Sequence, residues 1–339
     1  MASIRIGDRE IGDGHPCFVI AEAGSNHDGK LDQAKELIDA ASDAGADAVK
    51  FQTFEAERLY NEFTNKDTVE LLSGIELHRE WHEELMNHAK HRKIVFLTSV
   101  FDEESADFVD GLGAPAFKIA SAELNHIPLI RYVATKMKPM LLSTGMANES
   151  EIRDAVDAAH ATGNASVALL HCISQYPTEV DELNLRAMLT LKTEFGCPVG
   201  FSDHTTIAGA ATAAVAMGAN IIEKHLTTSR KLAGPDHSYA TEPDEFGKMV
   251  LGIREVERML GDGSLEPSGR DVVTRLQRRA IYAAEDIPKG ALLERGLLMI
   301  VRPAPEGAIP PKRFETIIGR ATKRALRKGD LLTEEVVDL

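Results

Sequence analysis

Three times in this 339-residue chain a helical stretch ends in Gly-Ala, two residues follow, and a short apolar run closes on lysine. The copies are AGADAVK ending at Lys50, LGAPAFK ending at Lys118 and MGANIIEK ending at Lys224. Glycine at a helix C-terminus accepts the left-handed backbone that stops the helix. The runs that follow are continuously apolar rather than alternating, which marks parallel strands covered on both faces. Further runs of this kind give eight predicted strands: Phe18–Ala21, Ala48–Phe51, Val95–Leu97, Phe117–Ile119, Met140–Leu142, Val167–Leu170, Val199–Phe201 and Asn220–Ile222. Amphipathic helices fall between most of them, such as Leu31–Ala44 with Leu31, Ala34, Leu37, Ile38 and Ala41 at helical spacing. Eight strand–helix units over about 250 residues predict a (β/α)8 TIM barrel. An open doubly wound sheet is the alternative, but no glycine fingerprint follows the first strand.

The ends of the chain read differently. Ile4, Ile6 and Ile11 around Gly7-Asp8 predict a hairpin ahead of the barrel. Beyond residue 262 the helical rhythm stops, and GDGSLEPSGRD has linker composition. The expected organisation is a barrel over 1–262, a linker over 263–279, and a β-rich module over 280–339. That module carries 10 Lys+Arg against 9 Asp+Glu, while the rest of the chain carries 28 against 44. A unit of about 60 residues is marginal alone and is expected to pack on something.

The formal charge of −15 argues against a nucleic acid or an anionic membrane as partner, since both call for a basic face. Three widely spaced cysteines, Cys17, Cys172 and Cys197, without a CxxC pair, indicate neither a disulfide framework nor a zinc cage. With no signal-like N-terminus and no long apolar run, the expectation is a soluble, cytoplasmic protein.

In such a barrel the site is built from the C-terminal strand ends. These carry Glu22 with Asn26 and His27, Lys50 with Gln52, Thr98 and Ser99, and Lys118 with Ser121 and Glu123. The series continues with Ser143 and Thr144, His171, Ser202 with His204, and Lys224 with His225. Lysines and serines gathered round one mouth suit an anion bearing phosphate and carboxylate, although a strand-end lysine also permits a Schiff base. The crossover from Val199–Phe201 through a helix at Thr206–Met217 to Asn220–Ile222 puts His204 and His225 on one sheet edge. There they could share a divalent metal. Glu22 is a candidate general acid or base, with a salt bridge to a lysine as the other reading. His78, His82, His88 and His91 lie among Glu80, Glu83 and Glu84, and a solvated helix face is expected. The charged segment Glu55–Glu80 is expected as a loop over the mouth.

The ordered motifs IAEAGSNHDG, AVKFQT, FKIASAEL, LLSTGM, LLHCISQYPT, GFSDH, EKHLT and GPDH resemble those of the sialic acid synthase family. That family takes in N-acetylneuraminate, legionaminic and pseudaminic acid synthases and spore-coat relatives. The tail resembles the antifreeze-like SAF domain that follows the barrel there. The resemblance implies a metal-dependent transferase that condenses phosphoenolpyruvate (PEP) with an N-acylamino aldose such as N-acetylmannosamine, releasing phosphate. It implies that His204 and His225 hold the metal, usually manganese, and that Glu22 handles a proton. Lys50, Ser99, Lys118, Ser121, Ser143 and Ser202 would seat PEP, while Gln52, Glu123, Tyr176 and Asp236 would position the sugar. It further implies a domain-swapped homodimer, in which Arg302 of one chain reaches the sugar held by the other. The chain departs from the family pattern in RPAPEGAIPP, in Ser229 after the metal histidine, and in EVDELNL after YPT. A Schiff-base aldolase acting on a free keto acid and a non-enzymatic carbohydrate-binding protein are the alternatives in other classes.

Overall fold

The computed structural model describes residues 2–267 and 269–338. Two compact units separate between Gly261 and Asp262. In the first, β1 (Ser3–Ile6) and β2 (Arg9–Gly12) form the expected hairpin. Eight parallel strands then close a barrel: β3 (Phe18–Gly24), β4 (Ala48–Thr53), β5 (Val95–Val100), β6 (Phe117–Ile119), β7 (Met140–Ser143), β8 (Val167–Cys172), β9 (Val199–Asp203) and β10 (Ile221–His225). β10 pairs with both β9 and β3, so no edge is left.

Strand alternation sorts the side chains into two apolar groups. Val19, Val49, Phe117, Leu142, Leu169 and Ile222 face the surrounding helices. Phe18, Ile20, Ala48, Leu97, Leu141, Leu170 and Ile221 fill the barrel's interior, and Ile4, Ile6 and Ile11 of the hairpin join this inner group. Gly200 shows how tight that interior is, because a Cβ there would meet the Ile221 carbonyl oxygen at 2.5 Å. A packed barrel interior of this kind supports a site only above it, at the C-terminal ends of the strands.

Most of the strands run past their apolar cores into polar residues, so those polar positions obey the same two-residue alternation. The helix expected over Thr206–Met217 is shorter, Ala210–Ala216. Its first residues form a turn instead, in which Asp203 Oδ1 accepts from the Thr205 amide at 2.9 Å. Glu55–Glu80 is not an open loop: it contains helices Ala56–Leu59 and Lys66–Ser73. Arg79 pins it by bonding both Glu55 and Glu104 at 2.7 Å.

The expected solvated face of histidines is corrected at His82. That residue is fully buried, with Nε2 2.8 Å from Thr53 Oγ1 and Nδ1 donating to the His78 carbonyl at 3.1 Å. Burial pulls its pKa down to about 4. The helix His82–His91 lays this face on Phe96 and Phe108, a docking that residue spacing alone does not reveal.

The second unit contains the segment expected as linker, where a short helix (Arg270–Thr274) interrupts the irregular chain. Ser268, inside that segment, lies outside the described residues. After it, β11 (Ala280–Ala283) pairs antiparallel with β12 (Leu298–Val301). Single bridges such as Ile287 to Leu326 tie the remaining turns around a core of Ile281, Leu293, Ile309, Ile317 and Leu332. Among the described residues no helix is long and apolar enough to cross a membrane.

Candidate active site

In seven of the eight strands the inward column passes from apolar to polar towards its C-terminal end. Ile20 is followed by Glu22, Ala48 by Lys50, Leu97 by Ser99, and Ala116 by Lys118; Leu141 is followed by Ser143, Gly200 by Ser202, and Ile221 by Glu223 and His225. Pairing between strands sets neighbours. His225 lies beside Glu22 and Glu22 beside Lys50, while Ser99 faces Lys118 and Ser202 faces Glu223. The result is a cavity of about 490 Å³ at the mouth.

Of the fourteen residues to which the resemblance gives a role, twelve line it: Glu22, Lys50, Gln52, Ser99, Lys118, Ser121, Ser143, Tyr176, Ser202, His204, His225 and Asp236. Two do not. Glu123 lies in the short turn after β6 and is half-buried, with burial pushing its pKa up. Arg302 belongs to the second unit and is exposed there. Lys224 and His171, grouped above with the mouth, are corrected by alternation: both face out of the barrel. Lys224 Nζ bonds Asp203 Oδ2 at 2.8 Å and the Thr205 carbonyl at 2.7 Å. His171 Nε2 donates to the Leu183 carbonyl at 2.8 Å. Lys224 is thereby removed as a Schiff-base nucleophile.

The cavity floor is a closed ionic cluster. Lys50 Nζ lies 2.6 Å from Glu22 Oε2 and 3.7 Å from Glu223, and donates to Ser99 Oγ at 3.1 Å. Lys118 Nζ donates to both Glu223 oxygens, at 2.8 and 3.0 Å, and Ser202 Oγ donates to the first of them at 3.0 Å. Glu22, Lys50, Lys118 and Glu223 are each less than 5% exposed. Two lysines therefore meet two carboxyl groups, and the floor carries less free positive charge than the lysines alone suggest.

The proton affinities of the two carboxyls are shifted in opposite directions. Burial raises the Glu22 pKa, and the nearby Glu223 adds to that against the pull of Lys50. Burial also works to raise Glu223, but Lys118 and Lys50 outweigh it and hold the group at about 2. Burial opposes the Lys50 ammonium, yet Glu22 and Glu223 overcome this and push its pKa up. For Lys118 burial prevails against Glu223 and lowers it. Glu223 is thereby favoured as the anion and Glu22 as the carboxyl more ready to take a proton, a division of roles typical of acid–base sites. Gln52 donates to Glu22 Oε1 at 2.9 Å and orients it.

Above the floor stand two imidazoles with ring centres 5.4 Å apart. His204 Nδ1 donates to the Ile173 carbonyl at 2.8 Å, which leaves Nε2 as the ring nitrogen available to a ligand. Such a bond to the far ring nitrogen is how proteins fix a ligating tautomer. His225 Nδ1 is buried without a hydrogen-bond partner, and burial lowers its pKa, favouring the neutral ring. Two imidazoles side by side in one cavity fit a borderline divalent cation. Among the described residues no cluster of three or more His, Cys, Asp or Glu side chains is placed to hold a metal, so His204 and His225 would be its protein ligands. Ser143 Oγ is likewise buried without a partner in this cavity.

Several lining residues were not singled out by the sequence reading. Glu223 lies two positions before His225, so counting in twos along β10 finds it, whereas Lys224 falls on the opposite face. Cys172 ends the inward column of β8, with Sγ 3.8 Å from His204 Nδ1. Tyr239 and the apolar wall of Leu59, Tyr60, Leu72 and Ile75 come from connecting segments, which carry no such period.

Residues 37–265 match the model of the NeuB family, and residues 278–337 that of the SAF domain. The chain is 41% identical over 334 residues to an uncharacterised protein of Methanocaldococcus jannaschii, covering 98% of each chain. It is 39% identical over 349 residues to N,N'-diacetyllegionaminic acid synthase of Legionella pneumophila, again over 98% of each. The crystal structure of a spore coat polysaccharide biosynthesis protein of Bacillus subtilis superposes with a TM-score of 0.72 at 37% identity, covering 100% of this chain and 99% of that one.

Proposed function

The chain belongs to the NeuB family, and from that premise we propose that it is a nonulosonic acid synthase, a transferase that joins PEP to the open-chain aldehyde of an N-acylamino aldose and releases phosphate. N-acetylmannosamine is the simplest such acceptor, and the Legionella relative's name points to diacetylated ones. The observation that carries this reading is the convergence of Glu22, Lys50, Lys118, Ser99, Ser143, Ser202, His204 and His225 on one cavity.

The reaction asks for three things. PEP must be held by its phosphate and carboxylate, which Lys50, Lys118 and the hydroxyls of Ser99, Ser121, Ser143 and Ser202 would do by charge and directed bonds. C3 of PEP then attacks the aldehyde carbon, water adds at C2, and the tetrahedral intermediate loses phosphate by C–O cleavage to leave a 2-keto acid. A proton must leave the attacking water, and Glu22, the carboxyl whose affinity for protons burial has raised, is the group to take it. Glu223 keeps the two ammonium groups in place throughout. His204 and His225 would hold a divalent cation, manganese first, and when bound such an ion polarises a carbonyl oxygen. Gln52, Tyr176 and Asp236 stand on the side of the cavity where the acceptor would lie.

Under the same reading the protein works in the cytoplasm, and two copies exchange their C-terminal units so that Arg302 of one completes the other's acceptor site. The test is phosphate release from PEP with manganese and a panel of aldoses: N-acetylmannosamine, its 6-phosphate and a 2,4-diacetamido-6-deoxyhexose. Release is expected with at least one. Silence with every acceptor overturns the reading.

A further inference from the structure

Asp236 and Tyr239 sit on the segment that leaves β10 at the rim. That segment is fastened at its base. The Thr241 amide donates to the His225 carbonyl at 2.8 Å, and buried His237 is 2.6 Å from Thr227 Oγ1 through Nδ1 and 3.0 Å from Asp28 through Nε2. At the top, the Tyr239 hydroxyl donates to Asp236 Oδ1 at 2.6 Å, within the range of a bond to a charged acceptor. The Tyr239 ring lies 5.2 Å from the His225 ring and 5.3 Å from that of Tyr176, and those two are 5.8 Å apart, so the three rings pack as one cluster.

The other Asp236 oxygen hangs over Gly24. A Cβ built on Gly24 would stand 3.0 Å from Asp236 Oδ2, 3.4 Å from Glu22 Oε1 and 3.6 Å from Gln52 Nε2. A side chain there would crowd all three atoms, so glycine at this position lets two carboxyl oxygens and an amide converge at the rim of the cavity. Such a convergence suits a hydroxyl group of a polyhydroxylated chain in the cavity, which can donate to a carboxylate and accept from an amide. A carboxylate left free at both oxygens would rotate, whereas one tied by Tyr239 presents the second oxygen in a single direction.

We propose that Tyr239 is a positioning residue for the acceptor: it holds Asp236 by one oxygen so that the other receives an acceptor hydroxyl above Gly24. This rests on the reading of the cavity as a PEP–aldose site. Tyr239→Phe keeps the ring and removes only the bond. In phosphate-release assays with PEP and aldose varied separately, the aldose KM is expected to rise about ten-fold, the scale of one hydrogen bond to a charged group. The PEP KM and kcat are expected to stay within about two-fold, as for an interaction made equally in the ground and transition states. Adding Tyr239→Phe to Asp236→Asn should change the aldose KM little further, because the two act as one unit. An unchanged aldose KM in Tyr239→Phe, an effect falling on kcat or the PEP KM instead, or full additivity with Asp236→Asn each overturns the proposal while leaving the function standing. A wild-type protein that releases no phosphate with any aldose overturns both.

Discussion

The floor of the cavity and its rim are built by different means. Every charged group on the floor comes from a strand, obeys the two-residue alternation, and is buried in a partnered cluster with Glu223 at its centre. The rim comes from connecting segments. Tyr176 is 51% exposed, Asp236 and Tyr239 are half-buried, and the apolar wall stands on two short helices inside Glu55–Glu80. A strand-borne floor holds its geometry whatever the segments do, and suits the step common to all acceptors. A segment-borne rim can change residue by residue without disturbing that step.

That contrast is broken most directly at Glu223. Glu223→Gln leaves two buried lysines facing one carboxyl, and removing one partner of a buried ion pair costs about 3–5 kcal/mol. The expected result is a Tm lower by about 10 °C together with phosphate release reduced by about 1,000-fold. A variant with wild-type Tm and activity would show that the floor is not a unit. His225→Ala separates chemistry from stability. Its Nδ1 has no protein partner to lose, so the Tm is expected to fall little, about 1 kcal/mol in stability. Manganese-dependent turnover should disappear, and a chelator should do the same to the wild type. Near-normal, chelator-insensitive turnover would refute the cation site. The smallest effect is expected from Arg302→Ala in the second unit: a few-fold rise in aldose KM with an unchanged PEP KM. A wild-type aldose dependence would mean that the C-terminal unit does not complete the acceptor site.

Much of this was legible in the residues. The Gly-Ala-x-x-apolar-Lys repeat places Lys50 and Lys118 at strand ends, and the eight apolar runs coincide with β3 to β10. Lys224 and His171 differ from the expectation because adjacent residues at a strand end face opposite sides of the wall. Glu223 was recoverable by the same count. His82 was not, because its burial depends on a helix docking against Phe96 and Phe108. Tyr239 was not either, since its connecting segment has no period to read.

Local order in the chain determined the barrel, the height at which its interior turns polar, and the kinds of group that ring the mouth, because backbone alternation and helix termination act over a few residues. Which of those groups neutralise one another was decided only when the barrel closed. Lys118 finds Glu223 across 105 residues of chain, and Asp236 finds Gly24 from the opposite end of the unit. Contacts of that range depend on the shear of eight strands and the docking of their connections, which no short stretch of sequence encodes.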